Sequence, residues 1–422
     1  MIVQIEALNF VCLRYIRQSL APFQVLIGPN ASGKSAFLDT VAFLADAIQA
    51  KEGVADAVAA RVPDVRDLVW MRQGEAFELA VEAAIPEDLR HTNGRHTRVR
   101  YEVRVGIHPD LGEISLQGEN LWLRSEPVAA TRPPTHQRSL FPMPPSPPSE
   151  IVRPPRTRTP AGWRKVLYKV PESGNDYFQS ETSGWNNLFR LGPRRSALAN
   201  LPEDEEKFPV SIWFRRLLLE GVQRLALNSA ALRRPSPPGS PRRFLSDGSN
   251  LPWVIWDLEE RAPHRLEDWI DHVRTALPDL RGIRTVEREE DRHRYLVLDY
   301  GTGLHVPSWL VSDGTLRMLA LTILAYIPDL EGVYLVEEPE NGIHPRAVET
   351  VFQSLSSVYG AQVLLATHSP VVLSLAEPDQ VLCFARTDEG ATDIVPGSEH
   401  PRLQKWRGET DLGTLFASGV LG

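Results

Sequence analysis

The 422-residue sequence predicts an α/β fold with a mixed central sheet, an antiparallel β subdomain and an inserted helical and irregular lobe. Three observations point there. A short apolar strand at 23–27 runs into a glycine turn and then an amphipathic helix. Residues 76–85 and 99–107 alternate apolar and polar side chains in period two. From Val311 onward, apolar runs alternate with helical patterning, as in a parallel sheet covered by helices.

Taken in order, residues 1–27 break into short apolar runs that read as two or three strands. In 35–49, Phe37, Leu38, Val41, Leu44, Ala45 and Ile48 fall at the three-and-four spacing of a helix with one apolar face. The runs at 76–85 and 99–107 are expected to pair antiparallel with one solvated face. Ten prolines then fall between Pro133 and Pro160, interleaved with Arg138, Arg153, Arg156 and Arg158. Such a stretch supports neither helix nor ladder and has too few apolar groups to offset ordering entropy. A second break is RRPSPPGSPRR at 233–243, and both are expected as loops on an inserted region. Residues 208–232 and 264–277 carry helical patterning, and 283–299 reads as a hairpin. The string Leu245-Ser246-Asp247-Gly248-Ser249 is followed by Asn250 and Pro252 and reads as a loop without a helix behind it. Beyond Val311 come a helix to Ile327, a strand (VYLVEE), a helix over 346–358 and a strand (VLLATHS). The strand at 23–27 is assigned to that same sheet, so the middle of the chain is an insertion.

The formal charge of −8 argues against a generally basic chain that coats nucleic acid. Cys12 and Cys383 are the two cysteines, too few for a disulfide framework or a Cys-based zinc site, which points to a reducing compartment. The N-terminus has no secretory pattern and the longest apolar run, 318–327, is half of what a bilayer requires. A cytoplasmic protein without a membrane span is expected. No heptad run is long enough for a coiled-coil arm.

Gly28-Pro29-Asn30-Ala31-Ser32-Gly33-Lys34-Ser35 matches G-x-x-x-x-G-K-[ST] between a strand and a helix. Its backbone N–H groups, from Asn30, Ala31, Ser32 and Gly33, would surround a phosphate, and Gly28 and Gly33 supply the backbone freedom. Lys34 would add charge to the β- and γ-phosphates and Ser35 a hydroxyl ligand for Mg²⁺. At 333–339, an apolar strand ends in Glu337 and Glu338. Glu337 would hold Mg²⁺ directly or through water, and Glu338 would act as general base on the attacking water. His368, at the tip of another strand, can contact the γ-phosphate. Ser312, Gly314 and Thr315 open a helix and form an anion site, with Ser312 or Asp313 also able to cap it.

Together these strings resemble the ABC-type head ATPases of the SMC, RecF and OLD group, which are P-loop NTPases. GPNASGKS looks like their Walker A motif, VSDGT like the signature, YLVEEPENGIHP like Walker B with its following loop, and ATHSP like the switch histidine. The resemblance covers 1–50 and 305–375 well and the middle loosely, and EEPENGIHP…THSP is most like the OLD-like ATPases of bacterial genome defence. It implies an ATP- and Mg²⁺-dependent ATPase that closes as a homodimer, the signature of one copy meeting the P-loop of the other. Arg317 is then a candidate for charge in trans, or a surface salt bridge. Gln73 is the candidate glutamine ligand of the metal. Arg14 and Tyr15 are candidates for phosphate or adenine contact, with core or surface roles as the alternative. The corresponding boundaries are 1–120 and 301–390 for the two parts of the head, 121–300 for the inserted lobe and 391–422 for the tail. The tail carries Trp406, Leu412, Leu415, Phe416 and Val420 near helical spacing, to cover the chain's own core or dock a partner. Too few residues follow His368 for the TOPRIM nuclease of OLD proteins, so any nuclease or toxin effector is expected as a separate subunit. The alternatives are a RecF-like repair ATPase that binds DNA, through the Arg-rich stretches, and the ATP-binding subunit of a membrane transporter.

Overall fold

Period-two alternation in the N-terminal half builds an antiparallel sheet, of eight strands among the described residues. In a computed structural model of the chain, residues 1–50, 52–93, 96–125, 146–155, 157–171 and 173–400 are described. The tail from 401 on, with Trp406 and its apolar neighbours, lies outside the described residues. So do 126–145, with Arg138, and also Arg156. The chain divides into two compact units. Of the described residues, one holds 1–21, 28–222 and 382–400; the other holds 22–27 and 223–381.

In the first unit the strand order is Leu13–Ser19, Ile2–Phe10, Ala76–Ala84, Arg98–Ile107, Ile114–Arg124, Trp163–Val170, Asn175–Gln179 and Asn186–Phe189, each antiparallel to its neighbour. One face is apolar: Val99, Tyr101, Val103 and Val105 are all buried. The P-loop helix, Lys34–Gln49, buries Phe37, Leu38, Val41, Phe43, Leu44 and Ile48. Phe43 stands edge-on to Phe10 and Phe77, with ring centroids 6.0 and 5.3 Å away.

The other face differs from expectation. Glu78, Glu82, Arg100 and Glu102 are not solvated; each is at most 6% exposed. Alternation shows which residues share a face but not what covers it. Here the end of the proline- and arginine-rich stretch is the cover. The amides of Ile151 and Val152 donate to the Glu78 carboxylate at 2.6 and 2.8 Å, and that of Arg153 donates to Glu102 at 3.1 Å. Arg100 balances the buried carboxylates, pairing with Glu102 at 2.6 Å, Glu6 at 2.8 Å and Glu82 at 3.2 Å. Residues 150–153 are therefore part of the packed unit rather than a free loop.

The second unit is built on parallel strands. Val333–Glu337 pairs with Gln362–Ala366, which pairs with Phe23–Ile27, in registers such as Leu335 with Leu364 and Leu365 with Val25. Nearly every residue of the three is buried, as a sheet covered on both faces requires. Helix Pro345–Ser356 connects the first two, and its Phe352 meets Phe23 edge-on at 5.5 Å. Helix Asp313–Thr322 extends through a 3₁₀ turn at Ile323–Ala325. Trp269, on helix Pro263–Arg274, donates its indole N–H to buried Thr322 at 2.9 Å. Strands Leu280–Glu287 and Arg294–Tyr300 form the expected hairpin, with His305–Pro307 as a third strand.

Two local readings are corrected. The helical pattern over 208–232 is three elements: helix Pro209–Arg216 with a π turn to Gly221, strand Val222–Leu225 and the Asn228-capped helix Ser229–Arg233. Gly221 followed by β-branched Val222 ends the helix. Conversely, a helix does follow the Leu245–Ser249 string, at Leu251–Arg261. Pro252 lies in its first turn, where a missing N–H costs nothing. Buried Asn250 turns its side chain the other way, donating to the carbonyls of Pro241 and Arg243 at 2.6 and 2.7 Å, which ties down the second proline-rich break. Among the described residues no helix is long and apolar enough to cross a membrane.

Candidate nucleotide-binding site

The P-loop lies in the first unit and follows directly on Ile27 in the chain. Gly28 (φ 151°), Ala31 (φ 60°) and Gly33 (φ 105°) take positive φ, so the loop curls tightly before helix Lys34–Gln49 begins. Lys34 is buried and donates from Nζ to the carbonyls of Gly28 and Pro29, at 2.8 and 2.9 Å. Asn30, Ala31 and Ser35 are exposed, whereas Ser32 is fully buried. The Ser32 hydroxyl has no hydrogen-bond partner among the described residues, an orphaned polar atom inside the loop. A loop of left-handed glycines with a buried lysine and an unmet hydroxyl fits a phosphate chain, which would accept from all of them.

What holds the loop in shape comes from the far end of the sequence. Strands Val381–Arg386 and Thr392–Pro396 form an antiparallel hairpin. A Cβ on Gly28 would collide with the Phe384 carbonyl, and one on Gly33 with the Thr392 hydroxyl. Thr392, also buried, donates from Oγ1 to the Ser32 carbonyl at 2.9 Å, and its amide donates to the Cys12 carbonyl at 2.9 Å. Phe384 meets Phe37 of the P-loop helix edge-on at 5.5 Å. The sequence reading missed Thr392 because no local motif marks it.

The carboxylates lie in the second unit. Glu337 ends its strand and pairs with Arg224 at 2.6 Å, a partner on strand Val222–Leu225 that the motif reading did not find. Glu338 has φ 46°, a left-handed backbone in a residue with a side chain, and its amide donates to the Ala366 carbonyl at 2.7 Å. That turn directs its carboxylate to two groups: Asn341, which donates to it through Nδ2, and His368, whose Nε2 is 3.8 Å away. Glu340, which the sequence reading places in the loop after Walker B without a role of its own, accepts from the buried Thr367 hydroxyl at 2.6 Å and from the His368 amide at 3.4 Å. It thereby ties the turn after the paired acids to the histidine's strand end.

At the helix start, Ser312 is exposed and caps the helix, accepting from the Thr315 amide at 3.2 Å, with the Thr315 hydroxyl at 2.8 Å. A Cβ on Gly314 would collide with the Gly342 carbonyl, so this glycine already has an internal reason to be one. Asp313 pairs with Arg233 at 2.8 Å. Arg317 is half-buried and donates to the Leu227 carbonyl at 3.3 Å, which makes it a strut within its own unit rather than a surface salt bridge.

Three weaker candidates fall elsewhere. Gln73 is exposed, just past a 3₁₀ turn at Trp70–Arg72. Arg14 pairs with Glu389, both well exposed. The Tyr15 hydroxyl donates to Glu6 at 3.0 Å on the polar face of the large sheet, and burial together with the Glu6 charge pushes its pKa up to about 12. Tyr15 therefore belongs to that charge cluster.

Residues 23–374 match a family model described as "AAA domain, putative AbiEii toxin, Type IV TA system". The chain belongs to this family. It also shares its fold with SMC heads. An SMC head crystallised with the C-terminal winged-helix domain of ScpA superposes with a TM-score of 0.54 at 14% identity, over 93% of this chain and 97% of that one. The SMC head with an extended coiled coil, bound to the C-terminal domain of ScpA from Pyrococcus furiosus, gives 0.51 at 12% identity, over 93% and 95%. The protein is an AAA-type ATPase with the fold of an SMC head.

The hairpin contact makes a first prediction for this ATPase. Thr392→Val keeps the shape but removes the bond to the Ser32 carbonyl, a loss of about 0.5–1.5 kcal/mol. ATP affinity, measured by titration, is expected to fall about 2- to 10-fold with little change in turnover at saturation. Unaltered affinity would show that the hairpin does not shape the loop.

Proposed function

We propose that the protein hydrolyses ATP between two copies of itself, and that the closing and opening of this pair controls a separate effector chain. The observation that carries the reading is the packing of Gly314 on the Gly342 carbonyl. It joins the start of the signature helix to the turn after the paired acids, and Ser312, Asp313, Asn341 and Gly342 are all exposed there. An exposed helix start presents the positive end of the helix outward and is suited to the terminal phosphate of an ATP held by another copy.

In this reading Gly28, Asn30, Ala31, Ser32, Gly33 and Lys34 hold the phosphates. Ser35 and Glu337 hold Mg²⁺, which supplies charge neutralisation for phosphoryl transfer. Gln73, exposed past the Trp70–Arg72 turn, is the proposed further ligand of the metal. Glu338, fixed by Asn341, takes the proton of the attacking water, and His368 contacts the γ-phosphate. Ser312, Gly314 and Thr315 complete the site in trans. The family's description supports a setting in toxin–antitoxin or defence systems, and the SMC head crystallised with ScpA supports docking of a separate partner on such a fold. We assign that partner to the nuclease or toxin class.

Ser312→Asp separates folding from dimerisation. Aspartate caps a helix as well as serine does, so the melting temperature is expected to hold. Its charge faces the incoming phosphate, so the ATP-dependent dimer seen by light scattering is expected to weaken at least 10-fold. A variant that dimerises with ATP as the wild type does would remove Ser312 from the interface.

A further inference from the structure

Residues 148, 150–154 and 157 also line an open cavity of about 380 Å³ on the polar face of the large sheet. This is the lower range of small-ligand pockets, which run to about 300–1,000 Å³. Its wall carries four arginines, Arg17, Arg100, Arg124 and Arg153, against two glutamates, Glu6 and Glu150, with Tyr15, Thr157 and Trp163 beside them. None of these residues belongs to the P-loop or to the carboxylate cluster.

The four cations are not equally engaged. Arg100 is fully spent on Glu6, Glu82 and Glu102. Arg124 pairs with Glu82 through Nη1, but its Nε is buried and has no hydrogen-bond partner among the described residues. Both Arg124 and Arg153 place their guanidinium carbons over the Trp163 ring, 4.3 and 4.7 Å from its centroid. The ring therefore holds the two forks in place and has less face left for stacking a base. Arg17 is exposed and reaches Gln4 at 3.3 Å. Burial, then the nearby Arg100 and Arg17 charges, act to lower the Arg124 pKa, opposed by Glu82. Crowded cations, planar forks held by an aromatic ring and an unmet buried donor call for an anion with several acceptor oxygens.

We propose that this pocket binds the phosphate group of a nucleotide-sized phosphate monoester, either free or as the 5′ end of a nucleic-acid strand. Arg17, Arg124 and Arg153 grip the phosphate, and the base is read weakly. The ligand would bind independently of the ATP held by the P-loop, so the site is suited to sensing.

The test is calorimetric titration of the full chain, without Mg²⁺, with three probes: inorganic phosphate, AMP and a short 5′-phosphorylated oligonucleotide, each oligonucleotide compared with its 5′-hydroxyl form. The proteins are wild type, Lys34→Ala, Arg153→Gln and Arg17→Gln. Arg17 is exposed, so its replacement leaves folding intact, and melting temperatures check both arginine variants. Saturable binding of AMP or of the phosphorylated strand is expected to survive Lys34→Ala and to weaken 10-fold or more in Arg153→Gln and Arg17→Gln. Preference for AMP would mark a free metabolite, and preference for the phosphorylated strand a nucleic-acid end. No saturable binding of any probe, affinity unmoved by both arginine variants, or loss of binding in Lys34→Ala would overturn the proposal.

Discussion

Glu338→Gln is expected to bind ATP, to hydrolyse it about 10²- to 10⁴-fold more slowly, and to accumulate as a dimer in ATP. The amide has nearly the size of the carboxylate and can still be held by Asn341, so the left-handed turn at residue 338 need not change. What disappears is the capacity to accept a proton from water. Binding and closure precede that step, so both should persist, and the closed state should build up because its exit is blocked. Phosphate release measured alongside light scattering checks both halves. A turnover unchanged within a factor of two would remove Glu338 from the role of base.

The second large effect concerns stability. Arg100→Met takes away the one cation among the described residues that touches Glu6, Glu82 and Glu102 together, leaving buried carboxylates without their shared partner. Breaking a buried pair by deleting one side costs about 3–5 kcal/mol, because the remaining charge stays desolvated. Urea denaturation should show a loss of that order. Adding Glu102→Gln, which removes one of the stranded charges, should recover part of it, as expected of residues in a single network. A single-variant loss under about 1 kcal/mol would mean that water reaches this face after all.

Legibility of the molecule followed distance along the chain. The strand–turn–helix around 28–35 and the strand ending at 337 were readable because phosphate and metal chemistry demand fixed residues at fixed short spacings. The parallel sheet was readable because covered strands are apolar on both faces. Supports were another matter. Thr392 lies 360 residues from the Ser32 carbonyl it binds, and Arg224 lies 113 from Glu337, so neither leaves a local pattern. Alternation over 76–85 and 99–107 gave the pairing but said nothing about Ile151 and Val152 lying over the polar side. The Leu245–Ser249 string reads as a loop because Asn250 and Pro252 follow it, although the first turn of a helix is where proline fits best.

The account rests on a site shared between two copies, and mixing two inactive variants examines that claim directly. Lys34→Ala lacks the phosphate-binding lysine but keeps its signature; Ser312→Asp has the reverse defect. Mixed one to one, they can form pairs in which one site joins the intact P-loop of one copy to the intact signature of the other. The account predicts that ATP hydrolysis, near zero for each variant alone, recovers to a substantial fraction of the wild-type rate on mixing. Hydrolysis that stays near zero in a mixture shown to contain mixed dimers, or a Ser312→Asp variant fully active by itself, would contradict it.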